Sequence, residues 1–195
     1  MRAAKDMLRR QMRDLRDALP PGAHAGASAA AARHLLSLPE VARADTVALF
    51  GSTRGEIDTA PVHAALVARG ATVAYPRVVA GTPRLAFHAV RDLAALRPGE
   101  RLGVPEPPAD APELRLEDIR VFIVPGLAFD PTGARVGWGR GHYDHTLAAA
   151  PRALRVGYAF EFQIVAAVPA GAGDERMDVL CTEAGARAAI EGRQR

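Results

Sequence analysis

The residues best equipped for chemistry fall in one stretch, Val124-Pro125-Gly126-Leu127-Ala128-Phe129-Asp130-Pro131-Thr132-Gly133-Ala134-Arg135-Val136-Gly137-Trp138-Gly139-Arg140-Gly141-His142-Tyr143-Asp144. Alternating Gly137, Gly139 and Gly141 let the backbone approach a bulky anion and point N–H groups at it. A helix opening behind them adds partial positive charge. Arg135 and Arg140 can neutralise phosphate oxygens, and Asp144, one turn into the helix, can hold a divalent metal on those phosphates. The run is neither a Gly-Lys-Ser/Thr loop nor a Gly-x-Gly-x-x-Gly fingerprint. The same residues therefore also read as a plain strand-to-helix connection, with Asp144 as a first-turn acid.

A second candidate is Gly51-Ser52-Thr53-Arg54-Gly55-Glu56-Ile57-Asp58-Thr59. Glu56 lies where a loop beyond a strand end meets a helix, so it suits either a hydrogen-bonding ligand or the helix dipole. His142 and His145, three apart, lack a third ligand at a recognisable spacing, which argues against zinc. His24, His34, His63 and His88 are scattered and read as surface or boundary residues. Cys181 has no neighbouring histidine, and no Gly-x-Ser-x-Gly elbow occurs.

Elements must place these residues. Ala3 to Leu19 reads as a helix stopped by Pro20-Pro21-Gly22. Leu8, Met12, Leu15 and Leu19 form its apolar seam, beside a stripe of Arg2, Lys5, Arg9, Arg13 and Arg16. Taken alone, that stripe reads as a solvated face. A second helix spans about Ala23 to Leu38. Thr46 to Phe50 reads as a buried strand, Asp58 to Arg69 as a helix with Pro61 in its first turn and Gly70 as its stop, and Thr72 to Tyr75 as a strand ending at Pro76. Leu85 to Val90 suggests an antiparallel strand, and the Pro-rich segment from Leu93 to Glu117 is mostly loop. Val121 to Val124 is the clearest strand. A glycine-rich loop, a helix from about Tyr143 to Ala149, and strands at Leu154 to Tyr158 and Met177 to Leu180 follow. Alternating strands and helices imply an α/β domain with a mainly parallel sheet covered on both faces. Ligands of such sheets sit beyond the carboxyl ends of strands, which puts residues 51–58, Pro76-Arg77 and 125–144 on one rim.

Composition bounds the function. The chain has 195 residues, 49% hydrophobic and 24% charged, with net charge +3. These values suit one globular domain, taken as residues 1–195, and argue against disorder. No apolar run reaches a membrane span, and the charged segment Met1 to Arg16 does not suit a secretory signal. One cysteine fits a reducing compartment, so a cytoplasmic protein is expected. Near-balanced charge and 5% aromatic residues count against nucleic-acid binding.

In order along the chain, Lys5-x-x-Leu8-Arg9, Gly55-Glu56-Ile57-Asp58-Thr59, Gly103-Val104-Pro105-Glu106-Pro107 and the block from Val124-Pro125-Gly126 to Tyr143-Asp144 resemble the 5-formyltetrahydrofolate cyclo-ligase family. The resemblance runs from Lys5 to Glu183 and is most specific over Pro125 to Asp144. It implies a three-layer α/β/α sandwich with a mostly parallel central sheet. It also implies an ATP- and Mg2+-dependent closure of 5-formyltetrahydrofolate to 5,10-methenyltetrahydrofolate, with release of ADP and phosphate, through a phosphorylated formyl group. By position, Lys5, Arg9, Arg135, Gly137, Trp138, Gly139, Arg140, Gly141, His142 and Tyr143 match ATP-binding residues, leaving Arg13 and Arg16 as solvated members of the stripe. Gly51, Glu56, Trp138 and His142 match folate-binding positions, Asp144 and Asp178 match magnesium ligands, and Arg140 and His142 are the expected catalytic pair. Trp138 and His142 stand where the family often carries Tyr or Phe. Trp138 can still stack on a ring, whereas His142 adds a titratable group. A monomer with no nucleic-acid or membrane partner is expected. The alternative from another class is a folate- or nucleotide-binding protein without turnover, although Lys5, Arg140 and Asp144 are all retained.

Overall fold

A computed structural model describes residues 1–101 and 103–190. Three helices come first, α1 (Arg2–Asp17), α2 (Pro21–Ser37) and α3 (Pro39–Arg43), followed by strand β1 (Thr46–Ala48). Proline opens both α2 and α3, where its missing N–H removes no helical bond. Helix α4 (Ala60–Ala68) starts after Thr59, with Asp58 Oδ1 accepting the Ala60 N–H at 2.9 Å. Strands β2 (Thr72–Val78), β3 (Leu85–Ala89), β4 (Arg97–Pro98), β5 (Pro105–Glu106), β6 (Glu113–Leu114) and β7 (Val121–Val124) follow. The chain continues through β8 (Ala128–Phe129), β9 (Arg135–Val136), α5 (His142–Ala148), β10 (Leu154–Tyr158), β11 (Val179–Thr182) and β12 (Gly185–Ala188).

Eight strands form one sheet in the order β12-β11-β10-β7-β1-β2-β3-β6. The five from β11 to β2 are mutually parallel; β12 and β3 run antiparallel to them, and β6, antiparallel to β3, closes one edge. Side chains alternate across it with the period of two that a strand dictates. Val47, Val73, Val121, Ile123, Leu154 and Val156 meet Ala31 and Leu35 of α2, Val41 of α3, and Val62 and Leu66 of α4. Ala48, Ala74, Phe122, Val124 and Leu180 face the other way, onto Leu147 of α5. Burying each of the larger side chains contributes roughly 1.5–3 kcal/mol, so the sheet is a stiff base for the loops at its strand ends. A hairpin of β8 and β9 extends from that second face and packs Leu127, Ala128 and Val136 against Met12 of α1.

Four details depart from the sequence expectation. The second strand does not end at Pro76 but runs to Val78, because beyond Ala74 it pairs only with β3 and one side needs no donor. The glycine-rich loop contains the β8–β9 hairpin. The strand expected at Met177 to Leu180 is shifted to Val179–Thr182 and is followed by β12. On α1, Leu15 is exposed, and the packed face instead carries Leu8, Met12 and Arg16, with Leu19 packing just beyond the helix end.

Candidate functional site

The carboxyl ends of β1, β2 and β7 open into a cleft of about 550 Å3. Its walls are supplied by Lys5 and Arg9 of α1, by Gly51, Arg54 and Glu56 beyond β1, and by Pro76 and Val78 of β2. Arg101, Pro105 and Glu106 add a third side, and Gly137 to Asp144 with Asp174 complete it. Every sequence-expected site residue borders this one cleft except Asp178.

At one end, α1 inserts its cations under the glycine loop. Arg9 Nε donates to the Gly137 carbonyl at 2.9 Å, and Lys5 Nζ donates to Asp174 Oδ2 at 2.6 Å. Gly139 has φ +93°, and a Cβ there would sit 3.1 Å from Arg9 Nη2. The loop therefore needs glycine both for its backbone and for the guanidinium beneath it. Arg135 is buried and pairs with Asp144 through Nη2 to Oδ1 at 2.8 Å, while its guanidinium carbon lies 5.6 Å from the Tyr143 ring centre. The Glu175 N–H donates to the same Asp144 oxygen at 3.2 Å. Arg140 is exposed at the rim and has no ion-pair partner among the described residues. His142 opens α5, its Nδ1 2.8 Å from the Pro83 carbonyl. That contact makes Nδ1 the donor in a neutral ring and leaves Nε2 as the acceptor.

At the other end, Glu56 is only 7% exposed. Trp138 Nε1 donates to its Oε1 at 3.2 Å, the Thr53 N–H donates to Oε2 at 3.3 Å, and Arg16 Nη1 lies 3.7 Å from Oε1. Burial pushes the Glu56 carboxyl above the usual carboxylate range, against the pull of Arg16 and the Trp138 hydrogen bond. Arg16 and Arg54 bring their guanidinium carbons to 5.5 and 5.1 Å from the Trp138 ring centre. Gly51 is required by a close approach, since a Cβ there would stand 2.7 Å from the carbonyl oxygen of Pro105.

One expectation is corrected, and one expected residue lies outside the cleft. Arg16 is not solvated: it is 3% exposed, and its Nη2 donates to the Arg54 carbonyl at 2.7 Å. Burial lowers its pKa, and Glu56 opposes that shift. Asp178 does not join Asp144 in the cleft. Its Oδ2 accepts the Arg155 N–H at 2.9 Å, which ties it to the junction of β10 and β11. The cleft acid from that region is Asp174, whose pKa is pushed up by burial but drawn down further by Lys5 and the Gly171 N–H. Sequence reasoning gave no role to Asp174, Arg54, Arg101 or Glu106: Arg54 and Glu106 lie inside segments it singled out, and Asp174 and Arg101 lie near glycines, but no local pattern shows that these four border the cleft. Among the described residues no three His, Cys, Asp or Glu side chains cluster as a protein-only metal site. Asp144, partly open to the cleft, is the one expected ligand in place.

Residues 1–183 match the 5-formyltetrahydrofolate cyclo-ligase family. The chain is 33% identical to 5-formyltetrahydrofolate cyclo-ligase of Escherichia coli K12, over 88% of this chain and 96% of that protein. It is 30% identical to the Saccharomyces cerevisiae 5-formyltetrahydrofolate cyclo-ligase, over 91% and 94%. Its structure is similar to that of Aquifex aeolicus 5,10-methenyltetrahydrofolate synthetase, with a TM-score of 0.83 and 31% identity over 98% and 95% of the two chains. A Mycoplasma pneumoniae synthetase, 21% identical with a TM-score of 0.75 over 92% of this chain and 98% of that one, shares the fold.

Proposed function

The chain belongs to the 5-formyltetrahydrofolate cyclo-ligase family, ATP-dependent enzymes that close 5-formyltetrahydrofolate to 5,10-methenyltetrahydrofolate, and we propose how its cleft performs that closure. The observation that carries the reading is the joining, in one cleft, of a cationic glycine-loop end and a buried-acid end. Lys5, Arg9 and Arg140 take the polyphosphate, with N–H groups of residues 137–141 completing the cradle. Glu56 and Trp138 take the folate, the carboxylate by hydrogen bonding and the indole by stacking. Gly51 keeps the backbone low enough for the wall at Pro105 to close beside them.

The chemical difficulty is that a formyl oxygen leaves poorly. Attack of that oxygen on the γ-phosphorus expels ADP and turns it into a phosphate leaving group. N10 then attacks the formyl carbon, and phosphate departs to leave the methenyl bridge. The protein positions two substrates and balances charge as it moves. Arg140, at the rim, meets the transferred phosphoryl group. His142 holds its Nδ1 proton on Pro83 and uses Nε2 to take the proton that N10 loses. Asp144 suits a magnesium ion shared with the nucleotide, because that ion takes one or two carboxylates and fills its other positions with phosphate and water. The chemistry it supplies is neutralisation of phosphoryl charge. Arg135, held beneath Asp144, fixes the orientation of that carboxylate.

We further propose that the enzyme acts as a cytoplasmic monomer. Buried, unpaired Cys181 supports a reducing compartment, and light scattering on the purified protein tests the monomer. No helix among the described residues is long and apolar enough to cross a membrane. Incubation with 5-formyltetrahydrofolate and MgATP should give methenyl absorbance and ADP in equal amounts. Controls lacking ATP or magnesium should give neither. Folded protein that binds both ligands without turnover would return the binding-only alternative.

A further inference from the structure

We propose that Arg16 is a positioning residue for the folate end of the cleft, holding the Arg54 backbone, the Glu56 carboxylate and the Trp138 ring in one array. The proposal rests on the reading of Glu56 and Trp138 as the folate side. Arg16 itself is absent from the cleft lining, whereas Arg54, Glu56 and Trp138 all border it. One guanidinium reaches all three. Its Nη2 donates to the Arg54 carbonyl at 2.7 Å, its Nη1 stands 3.7 Å from Glu56 Oε1, and its carbon lies 5.5 Å from the indole centre.

Two observations set this apart from an ordinary surface cation that happens to be covered. Arg54 is the only non-glycine with positive φ, at +51°, among the described residues. A left-handed non-glycine residue persists where its surroundings over-determine it, and the Arg16 hydrogen bond is one such constraint. Arg16 Nε and Nη1 are also buried without hydrogen bonds. A buried ion pair with unfilled donors is a poor stabilising device, and apolar side chains of similar volume commonly do as well. The pair does accomplish something else. Burial favours the neutral acid at Glu56, and the adjacent cation holds the group toward its charged, hydrogen-bond-accepting form.

Every charged or titratable group around Glu56 must be counted in a test of that effect. Arg16 faces it from α1, with Asp17 and Arg13 acting on Arg16 from the same helix. Arg54 faces it from its own loop, Trp138 from the glycine loop, and Tyr143 from α5. His24 of α2 contacts the Glu56 backbone carbonyl at 2.9 Å. Trp138, the chain's only tryptophan, hydrogen-bonds to Glu56 and so reports the protonation of that carboxyl.

The test compares R16Q, R16K, E56Q and R16Q/E56Q with the wild-type protein, by steady-state kinetics and by titrating Trp138 emission with pH. R16Q should raise KM for 5-formyltetrahydrofolate about tenfold or more, with KM for ATP moving less than about twofold. The acid midpoint of the emission titration should move to higher pH in R16Q, stay near the wild-type position in R16K, and vanish in E56Q. R16Q should add nothing to the folate KM in the E56Q background. Equal rises in both KM values, an unmoved midpoint, or fully additive effects would overturn the proposal and leave Arg16 as a pin for α1. Should R16Q not fold, R16K is decisive: a folate KM raised without the ATP KM supports positioning, and no selective change overturns it. If the wild-type protein does not close 5-formyltetrahydrofolate, the functional reading fails by itself, and the emission midpoints still report whether Arg16 governs Glu56.

Discussion

Replacing Gly139 by alanine separates the backbone requirement of the glycine loop from its role in placing Arg9. At φ +93° an alanine is strained, at about 1–2 kcal/mol. For a chain of this length that corresponds to a fall in Tm of roughly 2–8 °C. The added Cβ also meets Arg9 at 3.1 Å from Nη2 and 3.2 Å from Cζ. Arg9 cannot swing away freely, because its Nε is bonded to the Gly137 carbonyl at 2.9 Å and its Nη1 pairs with Asp6. Displacing it by a few tenths of an ångström should forfeit about half of a charge-assisted hydrogen bond to phosphate, ~1.4 kcal/mol or about tenfold in KM for ATP. The control is Gly70→Ala, at φ +85° with nothing within 4 Å of the new Cβ. Both variants should lose comparable stability by calorimetry, but only Gly139→Ala should weaken ATP, with the folate KM unchanged in each. An unaltered ATP KM in Gly139→Ala, despite the expected fall in Tm, refutes the placing of Arg9 on the nucleotide.

Asp144→Asn should abolish ATP-driven turnover; it should also lower stability by about 1–3 kcal/mol, because buried Arg135 loses its ionic partner. Denaturant melts beside single-turnover assays check both effects, and a fully active variant removes the metal role from Asp144. Lys5→Ala should raise the KM for ATP more than that for folate, and Glu56→Ala should do the reverse. Titration of each variant with both ligands tests the two ends of the cleft separately. His63 is buried, with Nε2 3.2 Å from the Arg91 carbonyl and Nδ1 3.3 Å from the Tyr75 hydroxyl, and burial lowers its pKa from 6.5. Its contribution to stability is complete above about pH 6.5 and is lost as pH falls from there through the lower folded value. Thermal melts between pH 7.5 and 5, roughly the window in which histidine titrates, should show His63→Gln with a shallower acid decline than the wild-type protein, and parallel declines would contradict this.

The legible parts of the fold are those where one local rule dominates. Val121–Val124 is an uninterrupted apolar run stopped by Pro125 and forms as expected; Leu154–Tyr158 also forms, with Leu154, Val156 and Tyr158 alternating with Arg155 and Gly157. The glycine alternation at 137, 139 and 141 marks a backbone requirement that survives in the structure, as does the gathering of Gly51 and Glu56 on the same rim. Arg16 was illegible because arginine on a helix defaults to solvent, and its burial depends on a carboxylate forty residues away. Leu15 illustrates the converse, an apolar residue left exposed because the cationic side of α1 is the side that packs. Asp174 carries no periodic signal, and only the fold brings it to Lys5. Pro76 misled because a proline breaks a strand only where its missing donor is needed.

Helix α1 is fastened chiefly by polar groups. Only Met12 and Arg16 are buried along its length, and its cleft contacts join residues far apart in the chain, 128 positions for Arg9 with Gly137 and 169 for Lys5 with Asp174. Such contacts form late in folding, since long loops must close before they are made. They also open early, because little apolar area resists the departure of the helix. Warming should therefore silence the enzyme by peeling α1 from an otherwise intact sheet. Inactivation would then precede global unfolding, and amide exchange in residues 2–17 would outpace that of β7 and β10.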